Sequence, residues 1–404
     1  MSEKTSALWL ATATSLTRLS YYWCLSMKRK RVLLVLGVWL GLWALVFLAA
    51  MATHQGRVAM KTALILPEVL PFVPIKPLST FTPEPIVERV RYTSGGRELE
   101  ADLYRPSGPD RHGAVIMFLG ANPNLVHPVF LRLVQGLARE GVASLVPLQA
   151  DLIEGKIGLA DVDSLVSAFQ YLEGREFVDK RRIGYLGFCV GAAFSILASA
   201  DERIADRVAF VNAFGSYYDL FDFIYAYSSR RLVYEGVDQP WSPSELTQKL
   251  VGDHLIATLP SPLEQEVLRK SLAKDPQAMT ELSSLSPEAQ AVYGLLMGVD
   301  EARARELVGA LPPEALEEFR LLSPSTHVAK IKARTFLMHD VADTFIPYVE
   351  SRKLASRLPA ANRYHTEFSL FEHVSPTESP DLLTVIPEAL KLFRHLYLVM
   401  LEVG

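Results

Sequence analysis

The chain has 404 residues, half of them apolar, with 41 Lys and Arg against 45 Asp and Glu and a net charge of −4. That length allows one large domain or two to three small ones, and the apolar share is enough for a substantial core. The near-balanced charge leaves no footprint for nucleic acid, and two cysteines, Cys24 and Cys189, supply neither a disulfide framework nor a Cys/His metal spacing.

Residues 1–31 form a short segment that ends in Lys28-Arg29-Lys30-Arg31. Residues 32–52 carry no charged side chain. A run of about 20 apolar residues is what a helix needs to cross a bilayer, so a transmembrane helix is expected at 32–52. The basic flank places the N-terminus on the cytoplasmic side and the remainder outside, as a single-pass protein. A secreted product is the alternative, because Ala50-Met51-Ala52 resembles a signal cleavage site. The run is longer than the roughly 7–15 residues of a signal core, which favours an uncleaved anchor. Met27 offers a second possible start. The two cysteines fall on opposite sides of the apolar run, which argues against pairing them. Residues 53–85 hold prolines at 67, 71, 74, 77, 83 and 85 and are expected to be an extended linker, since proline fixes φ and removes a donor.

Soluble structure is expected from residue 86. Ile86 to Tyr92 and Leu99 to Tyr104 alternate about Ser94-Gly95-Gly96, the pattern of a hairpin. Ala114 to Leu119 is an unbroken apolar run of strand length. A helix over 130–139, a strand over 142–146 and a helix over 161–172 follow. Ile183 to Leu186 and Val208 to Phe214 are further buried strands. Strands alternating with helices imply a mainly parallel sheet with helices on both faces. Residues 217–322 differ, with successive helical stretches broken by prolines; they are expected to form a helical cap over the site, a solvated insertion being the alternative. The α/β pattern resumes with strands at 334–338 and 364–370 and closes on an amphipathic helix over 382–401. The α/β domain therefore comprises residues 86–216 and 323–404.

The chemistry-bearing stretch is Gly187-Phe188-Cys189-Val190-Gly191. It lies between a strand and a helix of small residues, which is the pattern of a nucleophile elbow, here with cysteine. The glycines two positions to either side allow close strand–helix approach. The helix behind Cys189 points its positive end at the sulfur and favours the thiolate. A thiol also needs a base, and the base a group to orient it. Asp343 and His373 each lie in a loop just past a strand, in the order nucleophile, acid, histidine. Asp340 competes with Asp343, and His365 and His395 compete with His373. Loop position after a strand favours Asp343 and His373. Backbone N–H groups of Val190 and of Gly120 or Ala121 are expected to form an oxyanion site. Asn122 and His127 lie near it, with structural or substrate-facing roles.

The elbow, His339-Asp340-Val341-Ala342-Asp343 with Ile346-Pro347, and Glu372-His373 together resemble the α/β-hydrolase superfamily. The cysteine elbow is most similar to the dienelactone hydrolase family. The resemblance covers about Ile86 to Leu401, with the helical region inserted. It implies a Cys189–His373–Asp343 triad acting on an ester or lactone carbonyl, with no metal or organic cofactor. Ala192 stands where that family often has a second glycine, and its substrate-carboxylate arginines are not placed here, so only the reaction class carries over. The expected function is a membrane-anchored hydrolase of ester, lactone or thioester bonds acting through an acyl-cysteine. Its partners are then a small acyl substrate, hydrophobic if the apolar anchor and linker are a guide, and the membrane. An acyltransferase on the same triad and a non-catalytic, membrane-tethered binding protein on a hydrolase fold are the alternatives.

Overall fold

The computed structural model describes residues 38–39, 41–42, 44–120, 125, 127–148, 158–376 and 381–404. Residues 32–37, 40 and 43 of the expected membrane span, and with them Cys24, lie outside the described residues. Residues 38–39, 41–42 and 44–52 are helical. Among the described residues no helix is long and apolar enough to cross a membrane. The chain forms two compact units, Met1–Met60 and Lys61–Gly404, and apart from the first turns of α1 everything described below belongs to the second.

The expected extended linker at 53–85 is a correction. It contains helix α1 (His54–Val69) and helix α2 (Pro77–Phe81). The prolines fail to prevent this for positional reasons. Pro67 sits in the last turn of α1, and Pro77 starts α2, where a missing N–H costs nothing. The side chain of Glu68 accepts from Leu78 N at 2.8 Å and caps α2. Lys76 Nζ donates to the Pro67 and Leu70 carbonyls. Ile65, Leu70 and Leu78 are buried, so the segment packs rather than spans.

Beyond it lies an eight-stranded sheet in the order β1-β2-β4-β3-β5-β6-β9-β10. The strands are β1 (Ile86–Ser94), β2 (Arg97–Arg105), β3 (His112–Phe118), β4 (Val142–Leu148), β5 (Val178–Phe188), β6 (Phe210–Phe214), β9 (Arg334–Asp340) and β10 (Arg363–Phe368). β1 and β2 form the expected hairpin, turned by Gly95 and Gly96 at φ 55° and 77°. β2 meets β4 antiparallel, and every pairing from β4 to β10 is parallel. Ala114 to Phe118 are each no more than 2% exposed although successive side chains point to opposite faces. Both faces are therefore covered, as a parallel sheet requires. The covering helices are α3 (Pro128–Arg139) on β4, α4 (Leu159–Glu173) and α5 (Val190–Ser199) on β5, α13 (Tyr348–Arg357) on β9, and α14 (Leu382–Val403) on β3, β5 and β10. This is the expected α/β-hydrolase-like fold.

Between β6 and β9 the chain inserts helices α6 (Leu220–Ser229), α7 (Glu245–Ala257), α8 (Pro262–Leu272), α9 (Pro276–Glu281), α10 (Pro287–Met297), α11 (Glu301–Val308) and α12 (Pro313–Leu321). Four of the prolines that mark breaks in the sequence are first residues of helices. Ser261, Asp275 and Ser286 cap three of those helices by accepting backbone N–H groups. A short hairpin, β7 (Arg231–Tyr234) with β8 (Val237–Pro240), interrupts what was expected to be all helix.

Register gathers the site. Phe118 pairs with Gly187, Phe188 with Phe214, Phe214 with Met338, and Asp340 with Phe368. The carboxyl ends of β3, β5, β6, β9 and β10 thus open at one edge, where open α/β sheets bind ligands.

Candidate active site

β5 delivers Cys189 with φ 57° and ψ −133°. Such a backbone costs of order 1–3 kcal/mol in a non-glycine residue and persists only where neighbours impose it. Here Cys189 N donates to Phe214 O at 2.8 Å, and Ala192 N donates to Cys189 O at 2.9 Å. A Cβ on Gly187 would stand 2.5 Å from Ala192 Cα. One on Gly191 would stand 2.5 Å from the Phe118 and Leu119 carbonyl oxygens. Only glycine permits either approach. Gly120 lies against the sulfur, since a Cβ there would fall 2.6 Å from Cys189 Cβ, 2.9 Å from Sγ and 3.3 Å from Val190 N. Val190 is the first residue of α5, so its N–H has no partner within the helix. Ala121 and Asn122 lie outside the described residues. His127 precedes α3, and its Nδ1 accepts from Val129 N at 3.3 Å.

The two loop carboxylates differ in what they bond. Asp340 accepts from Ala342 N and from Phe371 N, each at 2.9 Å, tying two loops together. Burial raises its pKa. Asp343 Oδ1 accepts from Phe345 N at 2.7 Å and Ile346 N at 3.0 Å. Its Oδ2 meets His373 Nδ1 at 2.6 Å and His339 Nε2 at 3.2 Å. Burial opposes charge on Asp343, but the two histidines outweigh it and hold the carboxyl well below its ordinary range.

His373 occupies the first of two turn positions between β11 (Phe371–Glu372) and β12 (Ser375–Pro376), with φ 58°. Tight two-residue hairpins favour Gly or Asn at such a position, so a histidine here is held against local preference. Phe345 stacks on its ring, with centroids 4.6 Å apart and planes 16° from parallel. Gly215 leaves room for the ring, since a Cβ there would fall 2.9 Å from His373 Cε1. Nε2 is buried and has no hydrogen-bond partner among the described residues. Cys189 is nonetheless near enough for its charge to act on the ring. Contacts of this kind commonly tighten only when substrate binds. Burial lowers the proton affinity of His373, but Cys189 and Asp343 more than compensate and raise its pKa from 6.5 to about 10.

The competing histidines have other partners. His365 Nε2 bonds Ser351 Oγ at 3.0 Å. His395 is buried and held between Thr366 Oγ1 at 2.9 Å and Asn212 Oδ1 at 2.8 Å.

Several supporting groups escape sequence reasoning. Trp241 Nε1 donates to Asp343 O at 2.8 Å, and Ser244 N to Thr344 O at 2.8 Å. The segment of the insertion between β8 and α7 is thereby bonded to the acid loop, from about 100 residues upstream. Nothing in local sequence signals this. His339 sits in the quoted motif, but its contact with Asp343 depends on a loop that doubles back.

Two chambers meet at Cys189. The larger, of about 350 Å³, is bounded by Gly120, His127, Phe188, Leu246, Phe345 and His373 among others. The smaller, of about 90 Å³, is bounded by Val190, Leu220, Phe223, Val251, His254 and Phe319 among others. Insertion residues line both. Among the described residues no group of three or more His, Cys, Asp or Glu side chains is arranged to hold a metal ion.

No family model and no curated protein matches the chain. Solved structures do. One is a 2,6-dihydroxy-pseudo-oxynicotine hydrolase, at 16% identity and TM-score 0.48, covering 78% of this chain and 68% of that one. Another is an acylaminoacyl peptidase of Pyrococcus horikoshii, at 14% identity and TM-score 0.47, covering 79% and 41%. A third is a puromycin hydrolase, at 13% identity and TM-score 0.48, covering 79% and 40%. The chain spans about two fifths of the length of the last two. The fold assignment itself rests on the strand order and the elbow.

Proposed function

We infer that the chain is a hydrolase of ester, lactone or thioester bonds that works through an acyl-cysteine. The observation that carries this is the buried Asp343–His373 pair, 2.6 Å apart, whose histidine lines one cavity with a cysteine held at a strained elbow. The Cys189 sulfur attacks the carbonyl carbon and forms the C–S bond. The oxyanion is stabilised by the Val190 N–H and by the Gly120 segment beside it. As the C–O or C–S bond to the leaving group breaks, the His373 imidazolium gives its Nε2 proton to the departing atom. The neutral imidazole then takes a proton from water, whose oxygen attacks the thioester. Collapse releases the acid and restores sulfur and imidazolium. Asp343 holds Nδ1–H throughout, which keeps Nε2 turned to the sulfur.

Intact-protein mass spectrometry with p-nitrophenyl butyrate tests this. The wild-type protein should gain one butyryl group on Cys189 and release the acid, and Cys189→Ala should do neither. Undiminished turnover by Cys189→Ala would sink the proposal. Acyl transfer uses the same intermediate, and adding alcohol or amine acceptors and weighing the products separates the two. Attachment to a bilayer through residues 32–52 is part of the proposal, supported by the uncharged run and its basic flank. The full chain should then resist alkaline carbonate extraction from membranes, and a variant lacking residues 32–52 should not.

A further inference from the structure

The two chambers are chemically unequal, and the histidine decides which holds which half of the substrate. A leaving group must lie where the imidazole can protonate it. His373 borders the larger chamber and is not among the residues bounding the smaller one. The leaving group therefore departs into the larger chamber, and the acyl group occupies the smaller. Val190, whose N–H faces the oxyanion, borders that smaller chamber.

Its volume of about 90 Å³ is well below the roughly 150 Å³ of an apolar cavity that takes up benzene. Its walls are almost all apolar, formed by Leu220, Phe223, Val251 and Phe319 with their neighbours. Beside Cys189, its polar lining residues are Tyr217 and Thr247, whose hydroxyls donate to the Leu322 and Phe345 carbonyls, and His254, near the end of α7. Its ring stacks on Phe319 with centroids 5.6 Å apart and planes 29° from parallel. Although the residue keeps some exposed surface, Nε2 is buried and has no hydrogen-bond partner among the described residues. Burial lowers the pKa of His254 from 6.5, so the ring is neutral at neutral pH and Nε2 can donate or accept. A buried, unpartnered polar atom costs about 1–3 kcal/mol, and a ligand that supplies its partner recovers that.

We propose that the chamber under the cap is the acyl subsite, that it takes a short acyl chain bearing a hydroxyl or similar polar group, and that His254 Nε2 hydrogen-bonds that group. This rests on the hydrolase reading for the direction in which the leaving group departs. His254 is then a specificity residue contributed by the insertion, not by the α/β domain.

The test uses the full chain and does not require turnover. Alkylation of Cys189 by iodoacetamide is followed by peptide mass spectrometry, which separates it from Cys24. Protection is titrated with butyramide, 3-hydroxybutyramide and decanamide. The hydroxylated amide should protect at about five- to tenfold lower concentration than butyramide, the ratio expected for one hydrogen bond. Decanamide should protect no better than butyramide. In His254→Leu the ratio between the two short amides should fall to about one. The chain-length comparison needs no variant and stands if His254→Leu does not fold. Protection that increases with chain length, or a hydroxyl preference that survives His254→Leu, overturns the subsite. Protection as expected without hydrolysis of any ester upholds the subsite and removes the hydrolase. Hydrolysis without the protection pattern does the reverse.

Discussion

Asp343→Asn is the most informative single change, because both carboxylate oxygens of Asp343 are committed. Oδ1 accepts two backbone N–H groups of its own loop, and Oδ2 accepts from His373 Nδ1 and lies 3.2 Å from His339 Nε2, which is bonded to the Ile346 carbonyl. An asparagine can keep its oxygen on the loop only by turning its NH₂ toward His373. Two donors then face one another at 2.6 Å unless the imidazole moves its proton to Nε2. That tautomer presents a donor to Cys189 where a base is needed. Turning the amide round instead leaves Phe345 N and Ile346 N without an acceptor. The charge is lost as well. Raising His373 from 6.5 to about 10 is worth up to about 5 kcal/mol, at about 1.4 kcal/mol for each unit of pKa, and Asp343 shares that with Cys189. We expect kcat/KM for p-nitrophenyl butyrate to fall on the order of 10³- to 10⁴-fold, as misplacing the tautomer does in related triads. The alkaline limb of the wild-type profile, set by loss of the imidazolium near pH 10, should move to lower pH. Stopped-flow pH–rate profiles of both proteins measure this. Activity within tenfold of wild type, with an unmoved alkaline limb, would refute the orienting role of Asp343.

Two further predictions follow from the same geometry. Gly120→Ala places a methyl 2.6 Å from Cys189 Cβ, which should displace the sulfur. It should cost about 1–3 kcal/mol of stability and roughly 100-fold or more in acylation rate, read by urea denaturation and by butyryl transfer to Cys189. Wild-type acylation in a folded Gly120→Ala would mean that Gly120 does not border the reacting atoms. Stability should also depend on pH through His373. Its folded pKa of about 10 exceeds its unfolded value near 6.5, so its contribution is complete below pH 6.5 and disappears as pH rises toward 10. Urea midpoints of the wild-type protein should therefore decline from pH 6.5 to 10 more steeply than those of His373→Gln. Parallel curves would show that the imidazolium is not stabilised in the fold.

The sequence by itself carries the periodic and punctuated features. Alternation about Gly95-Gly96 specifies the β1–β2 hairpin, and continuous apolar runs such as Ala114 to Leu119 specify strands buried on both faces. The spacing of Gly187, Cys189 and Gly191 marks a turn that backbone sterics allow few other sequences to make. Loop position after β9 and β10 narrows the partners of Cys189 to the Asp340–Asp343 stretch and His373, because the ends of parallel strands meet at one edge. It misleads at 53–85, where proline count suggests an extended chain. Proline's effect depends on its place in a helix, and the Glu68 and Lys76 bonds that complete the helical ends are made only in the fold. What the tertiary structure alone decides is which groups of similar chemistry do different work. Asp340 and Asp343 are three residues apart and both accept loop N–H groups, and only the path of the chain after β9 brings the second to the imidazole. Trp241, Phe345 and Gly215 come to the site from separate segments. The division of the cavity at Cys189 arises from the packing of inserted helices against the sheet edge. Such contacts join residues tens to hundreds of positions apart, and no local pattern encodes a distance of that kind.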